Sequence, residues 1–163
     1  MTACQIREAA GDDVAAIIVL FGVADDSYAA GAPHQYRGAW AVPRSEQEVG
    51  LLEHSDIALF VAELDGRVVG QIVVRIETVP ENTQLVPRRF AKLHDLVVVP
   101  EARTLGVGRA LVQAAEQWSA ARGMASIELV VWEYNAAARG LYEQLGYTTD
   151  MRRLRRVLPV AKS

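Results

Sequence analysis

The sequence predicts a single mixed α/β (α+β) domain, with antiparallel hairpins in its first half and a βαβ unit at its centre. Three observations carry this. Ile57 to Leu64 and Arg67 to Val79 are β-rich runs joined by Asp65-Gly66. An Asp-Gly pair between two such runs marks a hairpin, because both residues tolerate positive φ. Leu93 to Val99 is a third β-rich apolar run, ended by Pro100. Arg103, Gly106 and Gly108 follow it at once, and Val107, Ala110, Leu111, Ala114, Ala115 and Trp118 then recur at helical spacing on one apolar face.

At 163 residues the chain suits one domain, residues 1–163, with one sizeable core. It is 51% hydrophobic and 23% charged, a globular balance without sign of bulk disorder. The formal charge of −3 argues against a nucleic-acid partner held by general electrostatics. Cys4 is the single cysteine; it forms no internal disulfide and no metal cluster, so a reducing compartment is expected. His34 and His54 lack partners at metal-ligand spacing, so no metal is expected. The longest apolar run, Val14 to Ala24, is too short for a bilayer crossing, which takes about 20 residues. The start of the chain, with Glu8, Asp12 and Asp13, lacks a basic signal region. A cytoplasmic protein without a membrane partner is the expectation.

In order along the chain, Ala3 to Ala9 alternates and reads as a first strand. Asp12 or Asp13 caps a helix through Val14, Ile17, Ile18 and Phe21. Asp25 to Pro43 reads as an irregular connection carrying Tyr28, His34, Tyr36 and Trp40. Ser45-x-x-Glu48 is a capping-box pattern, so a short helix is expected to about His54. Pro80 to Pro87 is a loop, and the helix after Gly108 closes at Gly123. Ser126 to Trp132 is another apolar run, Asn135 to Leu145 a short helix ended by Gly146, and Tyr147 to Leu158 one or two final strands.

The turn from Arg103 to Gly108 carries the first chemical signal. Glycines let the backbone approach a ligand, because no Cβ stands in the way. The helix that follows offers unpaired N–H groups and the positive end of its dipole, which favour a phosphate. This is a candidate pyrophosphate cradle; a glycine-rich helix start without a ligand would look the same. Arg103-x-x-Gly106-x-Gly108, after Leu96-x-Val98-x-Pro100-Glu101, resembles the acyl-CoA signature of the GNAT N-acetyltransferase superfamily. Asn135-x-x-Ala138-x-x-Leu141-Tyr142-Glu143-x-Leu145-Gly146-Tyr147 resembles a second signature of the same superfamily, downstream and in the right order. The likeness covers residues 90 to 150 by motif and 3 to 79 by element order.

That resemblance implies the acyl-CoA N-acyltransferase fold, a central mixed sheet of about six or seven strands flanked by about four helices. It implies acetyl-CoA as the acyl donor, held where two central strands splay apart. By position, Leu96, Val97 and Val98 would pair with the pantetheine arm as a neighbouring strand would. Arg103 belongs to the signature turn, and backbone N–H groups from Thr104, Leu105, Gly106, Val107, Gly108 and Arg109 would hold the pyrophosphate. Asn135 would hydrogen-bond the cofactor. A primary amine would attack the thioester directly, with a backbone N–H near Val97 or Val98 for the oxyanion. Tyr142 would give a proton to the leaving thiolate; the plainer role is packing, with its hydroxyl satisfied. Relatives often carry a glutamate base near the start of the central strand, where this chain has Lys92. His94, two residues on along the same face, is the candidate base, since its ordinary pKa near 6.5 suits the task. A satisfied core histidine is the alternative, with Glu77, Asp95 and Glu133 in reserve.

The acceptor is left open between a small amine such as a polyamine or aminoglycoside, an amino acid, and a protein N-terminus or lysine. Asp25-Asp26 with Tyr28, Tyr36 and Trp40 would form an acidic, aromatic wall suited to a cationic amine; a solvated helix end is the plainer reading. The arginines at 152, 153, 155 and 156 describe an exposed strand face as well as an anion patch. A homodimer is an expectation from the resemblance. Two rivals stand beside transfer: a non-catalytic acyl-CoA-binding module on the same fold, and an ATP-binding turn. The second lacks the lysine and hydroxyl that follow the glycines of a P-loop.

Overall fold

The computed structural model describes residues 4–38, 50 and 54–159. Among these residues, β1 (Gln5–Glu8), β2 (Ile57–Leu64), β3 (Arg67–Val79), β4 (Arg88–Val98) and β5 (Ile127–Glu128) make one sheet in that order. The first three pairings are antiparallel, and β4 runs parallel to β5. The helices are α1 (Val14–Gly31), α2 (Val107–Ala121) and α3 (Ala136–Gln144). Mixed α/β architecture is as expected, with fewer strands than the resemblance implied. Trp40, the Ser45–Glu48 capping box, and Ala3 lie outside the described residues, as does the helix after the box apart from Gly50, which is helical, and His54.

Both faces of the sheet are covered, which is why its central strands read as continuous apolar runs. On one face Phe60, Ile72, Val74 and Leu93 pack with Leu111, Val112, Ala115 and Trp118 of α2. On the other, Leu59, Val61 and Val73 meet Ile17 and Phe21 of α1, and Val97 meets Leu20 and Ala24. The β2–β3 hairpin turns at Asp65 (φ 52°) and Gly66 (φ 73°), both in the left-handed region, as the Asp-Gly pair required. Gly70 of β3 lies so close to β4 that a Cβ there would stand 2.9 Å from the Val97 carbonyl oxygen.

Four local expectations are corrected. First, α1 does not stop near Asp25 but continues through Asp25, Asp26 and Tyr28 to Gly31. No glycine or proline interrupts 25–30, and the helix ends where Ala32 N–H bonds Tyr28 O at 2.8 Å ahead of Pro33. With its opening turn it runs Gly11–Gly31, long and apolar enough to cross a membrane by length and composition alone. In this fold Ile17, Leu20, Phe21 and Ala24 bury its inner face on the sheet, as in a core helix. Second, Asp13 holds the N-cap position, but its carboxylate makes no cap bond to the helix. It turns back to accept from Ala10 N–H (2.7 Å) and from both terminal nitrogens of Arg7 (2.7 and 2.9 Å). Third, of the apolar run Ser126 to Trp132 only Ile127 and Glu128 pair as strand. Fourth, residues 147–159 form no strand. Leu154 is 90% exposed and Met151 81%, since a two-residue β5 gives a further strand almost no edge to pair with.

Candidate active site

The middle of β4 carries a bulge. His94 pairs with Val73 and Val97 with Gln71, so two residues of β4, Asp95 and Leu96, stand opposite Ile72 alone. Asp95 absorbs the extra residue at φ 48°, a left-handed conformation uncommon outside glycine. The bulge resets which amides face which neighbour. Before it, Ala91 N–H points toward β5 and bonds Ser126 O at 3.0 Å. After it, Val99 N–H points the other way and bonds Val69 O at 2.9 Å. Successive amides of a strand face opposite edges, so Val98 N–H faces the β5 side and Val97 N–H faces β3.

On that side β5 has already left. The parallel ladder ends at Lys92 with Glu128, so Leu93 to Val98 have no β5 partner among the described residues. This is an open edge inside a sheet, set between α1 on one face and α2 with α3 on the other.

Directly beyond the edge comes the glycine turn. Pro100–Ala102 forms a 3₁₀ turn, Thr104 (φ 67°) and Gly106 (φ 80°) are left-handed, and α2 starts at Val107. Gly106 sits at the N-cap and has no side chain to cap the helix. The first intrahelical bond is Ala110 N–H to Gly106 O at 3.1 Å. The N–H groups of Val107, Gly108 and Arg109 therefore have no acceptor in the helix and face its positive end outward. Leu105 is 62% exposed at the tip of the turn. Arg103 Nε donates to Val98 O at 3.1 Å, fastening the turn to the open edge. Arg109 reaches α3, donating to Gln144 Oε1 at 3.0 Å. Gly108 is packed under α3, where a Cβ would meet Leu141 Cδ2 at 3.3 Å.

The second signature builds α3. Asn135 is its N-cap, and the side-chain oxygen accepts from Ala138 N–H at 3.1 Å. That use leaves the side-chain amide N–H groups for another partner. Tyr142 is buried, its ring edge-on to Tyr147 with centroids 5.4 Å apart. Tyr147 OH donates to Glu116 Oε1 at 2.9 Å. Among the described residues the Tyr142 hydroxyl makes no hydrogen bond. Burial, and then the neighbouring Tyr28 phenol, push its pKa up to about 12. Tyr28 belongs to α1 and Tyr142 to α3, on opposite faces of the sheet, so the two phenols approach through the gap where β4 and β5 part.

His94 lies on the α1 face. Its Nε2 is buried without a hydrogen bond and stands 3.7 Å from Glu77 Oε1, which is also 3.7 Å from Lys92 Nζ. Burial first, then Lys92, lower its pKa below the ordinary 6.5. His94 and Tyr142 do not touch. Asp95 acts electrostatically on both His94 and Tyr28. Burial first, then Asp95, raise the Tyr28 pKa to about 12. Glu133 is solvent-exposed and pairs with Arg139 at 3.8 Å.

Tyr28 is the residue that sequence reading placed least well, in a supposedly irregular connection. Its ring stacks on Tyr36 (5.1 Å), Tyr36 meets Trp132 edge-on (5.9 Å), and Trp132 stacks on Tyr134 (5.9 Å). Trp132 and Tyr134 precede the second signature, and no local pattern links them to α1. A groove lined by Ile6, Phe60, Gln113 and Trp118 contains none of these groups.

The model of the Acetyltransferase (GNAT) family matches residues 26–147. The uncharacterized N-acetyltransferase YhfO of Bacillus subtilis is 32% identical over 90% of this chain and 91% of its own length. An N-alpha-acetyltransferase of Sulfurisphaera tokodaii is 36% identical over 59% of each chain. A mutant of the BH1408 protein from Bacillus halodurans superposes with a TM-score of 0.88 at 19% identity, covering 95% of this chain and 99% of that one. With a family match across most of its length and a relative aligned nearly end to end, the chain belongs to the acetyltransferase (GNAT) family, whose general chemistry is acetyl transfer.

Proposed function

We propose that this protein transfers an acetyl group from acetyl-CoA directly to a primary amine. The observation that carries the reading is the open edge of β4 after Lys92, continuous with an uncapped helix start at Gly106. A pantetheine arm carries amide groups that suit an unpaired strand edge, and a pyrophosphate suits free N–H groups at a helix N-terminus. Leu96 and Val98 would hold the arm. The N–H groups of the turn up to Arg109 would hold the pyrophosphate, and the free amide of Asn135 would add a donor from α3. Acetyl-CoA supplies an activated acetyl thioester.

Val98 N–H, facing the open side, donates to the oxygen on which negative charge develops as the amine nitrogen bonds the acetyl carbon. Tyr142 gives its proton to the sulfur as the C–S bond breaks. Its high pKa keeps it protonated at neutral pH, and its hydroxyl has no competing partner among the described residues. His94, kept neutral by burial and Lys92, accepts the proton that the amine sheds, through water where it does not reach directly. Free CoA and an acetamide leave, and atoms and charge balance.

The test is release of free thiol from acetyl-CoA on an amine panel. Thiol release that depends on amine, with the acetylated amine identified by mass, supports the reading. Tight acetyl-CoA binding with no acetylated product from any amine class would leave a binding module instead.

A further inference from the structure

The four rings of Tyr28, Tyr36, Trp132 and Tyr134 are a built feature that the acetyl-transfer steps above do not use. They come from two distant stretches, the last turns of α1 with the segment just after it, and the segment between β5 and α3. Two contacts lock the stretches together. Tyr36 meets Trp132 edge-on, with an interplanar angle of 80°. Gly31 closes α1 so tightly against Tyr134 that a Cβ there would overlap the Tyr134 ring. The result is two stacked pairs, Tyr28 on Tyr36 and Trp132 on Tyr134, meeting at a near-right-angled corner. The corner is open, because Tyr36 remains 38% and Tyr134 42% exposed. It also adjoins the reacting centre, since Tyr28 packs near Val97 and acts on Tyr142.

The ring geometry separates two kinds of guest. A flat aryl group binds best in a slot between parallel rings, and both slots here are filled by the rings themselves, at 5.1 and 5.9 Å. An ammonium needs one ring face within about 6 Å of its centroid. The surrounding field favours the ammonium. Asp25 and Asp95 act on Tyr28. These carboxylates have interactions of their own, so they contribute a field and not free ligands. Arg139 pairs through a terminal nitrogen with Glu133 at 3.8 Å while its Nε is buried without a hydrogen bond, and Arg37 is exposed.

We infer that the acceptor is a small organic dication of the diamine class, with one amine at Tyr142 and Val98 and the second, as ammonium, seated in the corner formed by Tyr28, Tyr36, Trp132 and Tyr134. This rests on the acetyl-transfer reading and adds the acceptor's chemistry to it.

The experiment compares kcat/KM for diaminopentane, for hexylamine (the same chain with a methyl group in place of the second ammonium), for phenethylamine, and for a lysine-free peptide with a free N-terminus. Diaminopentane should exceed hexylamine by about tenfold, in KM and not kcat, the scale of one partly desolvated cation–π contact. In Tyr36→Leu and in Trp132→Leu that ratio should fall to about twofold. Tyr36 is exposed enough for its variant to fold, which a thermal midpoint would verify. Hexylamine, phenethylamine or the peptide used as well as the diamine by the unaltered protein would overturn the dication while acetyl transfer stands. An unchanged ratio in both variants would overturn the corner. No acetylation of any amine, with acetyl-CoA still bound, would remove the transfer reading and this inference with it.

Discussion

Lys92 and Glu128 are the last residues at which β4 and β5 pair. The open edge and the glycine turn of the candidate site lie beyond that rung. Past it, the bulge at Asp95 turns Val98 N–H to the open side, and the gap lets Tyr28 approach Tyr142 from the opposite face. A sheet that stayed paired would consume the amides and close the passage between the phenols.

Tyr142→Phe keeps the ring and removes the proton. If Tyr142 serves the leaving sulfur, kcat falls about a hundredfold or more while acetyl-CoA affinity and the thermal midpoint stay close to those of the parent protein. Steady-state kinetics with calorimetric titration of CoA would measure both. An unchanged kcat would assign Tyr142 to packing.

His94 predicts the acid limb of the rate. Burial and the charge of Lys92 disfavour the imidazolium, so the neutral base persists below the ordinary 6.5 and is lost as pH falls through the lowered value. Lys92→Met removes the second of those causes, so the limb should move up toward 6.5. A weakly basic amine, neutral across this range, separates the enzyme's titration from the substrate's. A limb that stays in place in both Lys92→Met and His94→Ala would dismiss His94.

Gly70→Ala tests whether the open edge needs its present position. The new Cβ would stand 2.9 Å from the Val97 carbonyl oxygen, a backbone atom, so β4 must shift. A cost of about 1–3 kcal/mol is expected, read as a lowered thermal midpoint. The KM for acetyl-CoA should rise, although Gly70 lies across β4 from the open edge.

Acid stability should depend on the Arg7–Asp13 pair. The Arg7 hydrogen bonds hold the Asp13 carboxyl below the ordinary 3.8, with a further bond from Ala10 N–H, against the opposing effect of burial. A depressed folded pKa stabilises fully above the unfolded value, and the gain is lost as pH falls through the folded one. Asp13→Asn should cost about 1–3 kcal/mol at neutral pH and flatten the stability curve below pH 3.8. Denaturant midpoints measured across acidic pH would show it.

Much of the scaffold was legible from short stretches. Asp65-Gly66 turned where both residues take positive φ, Val107 to Trp118 buried the face its spacing marked, and a short helix follows Asn135. Where reading failed, a distant partner had the deciding vote. The apolar face of α1 packs on the sheet and carries the helix past Asp25 to Gly31, against the expectation of a loop. Tyr147 to Leu158 has strand-like composition and forms no strand, because β5 is too short to receive one. Of the site, the turn and both signature positions were visible; the partners of Tyr142 and His94 were not.

The sequence by itself determined the family's two signatures, the hairpin, the glycine turn and the helix that follows, because φ preferences, caps and periodicity act over a few residues. The tertiary structure alone decided that β4 bulges at Asp95, that β5 departs after Glu128, that Tyr28 acts on Tyr142, and that Tyr36 meets Trp132. Those relationships join stretches far apart in the chain. They follow from how strands and helices fill a common core, which no local pattern encodes.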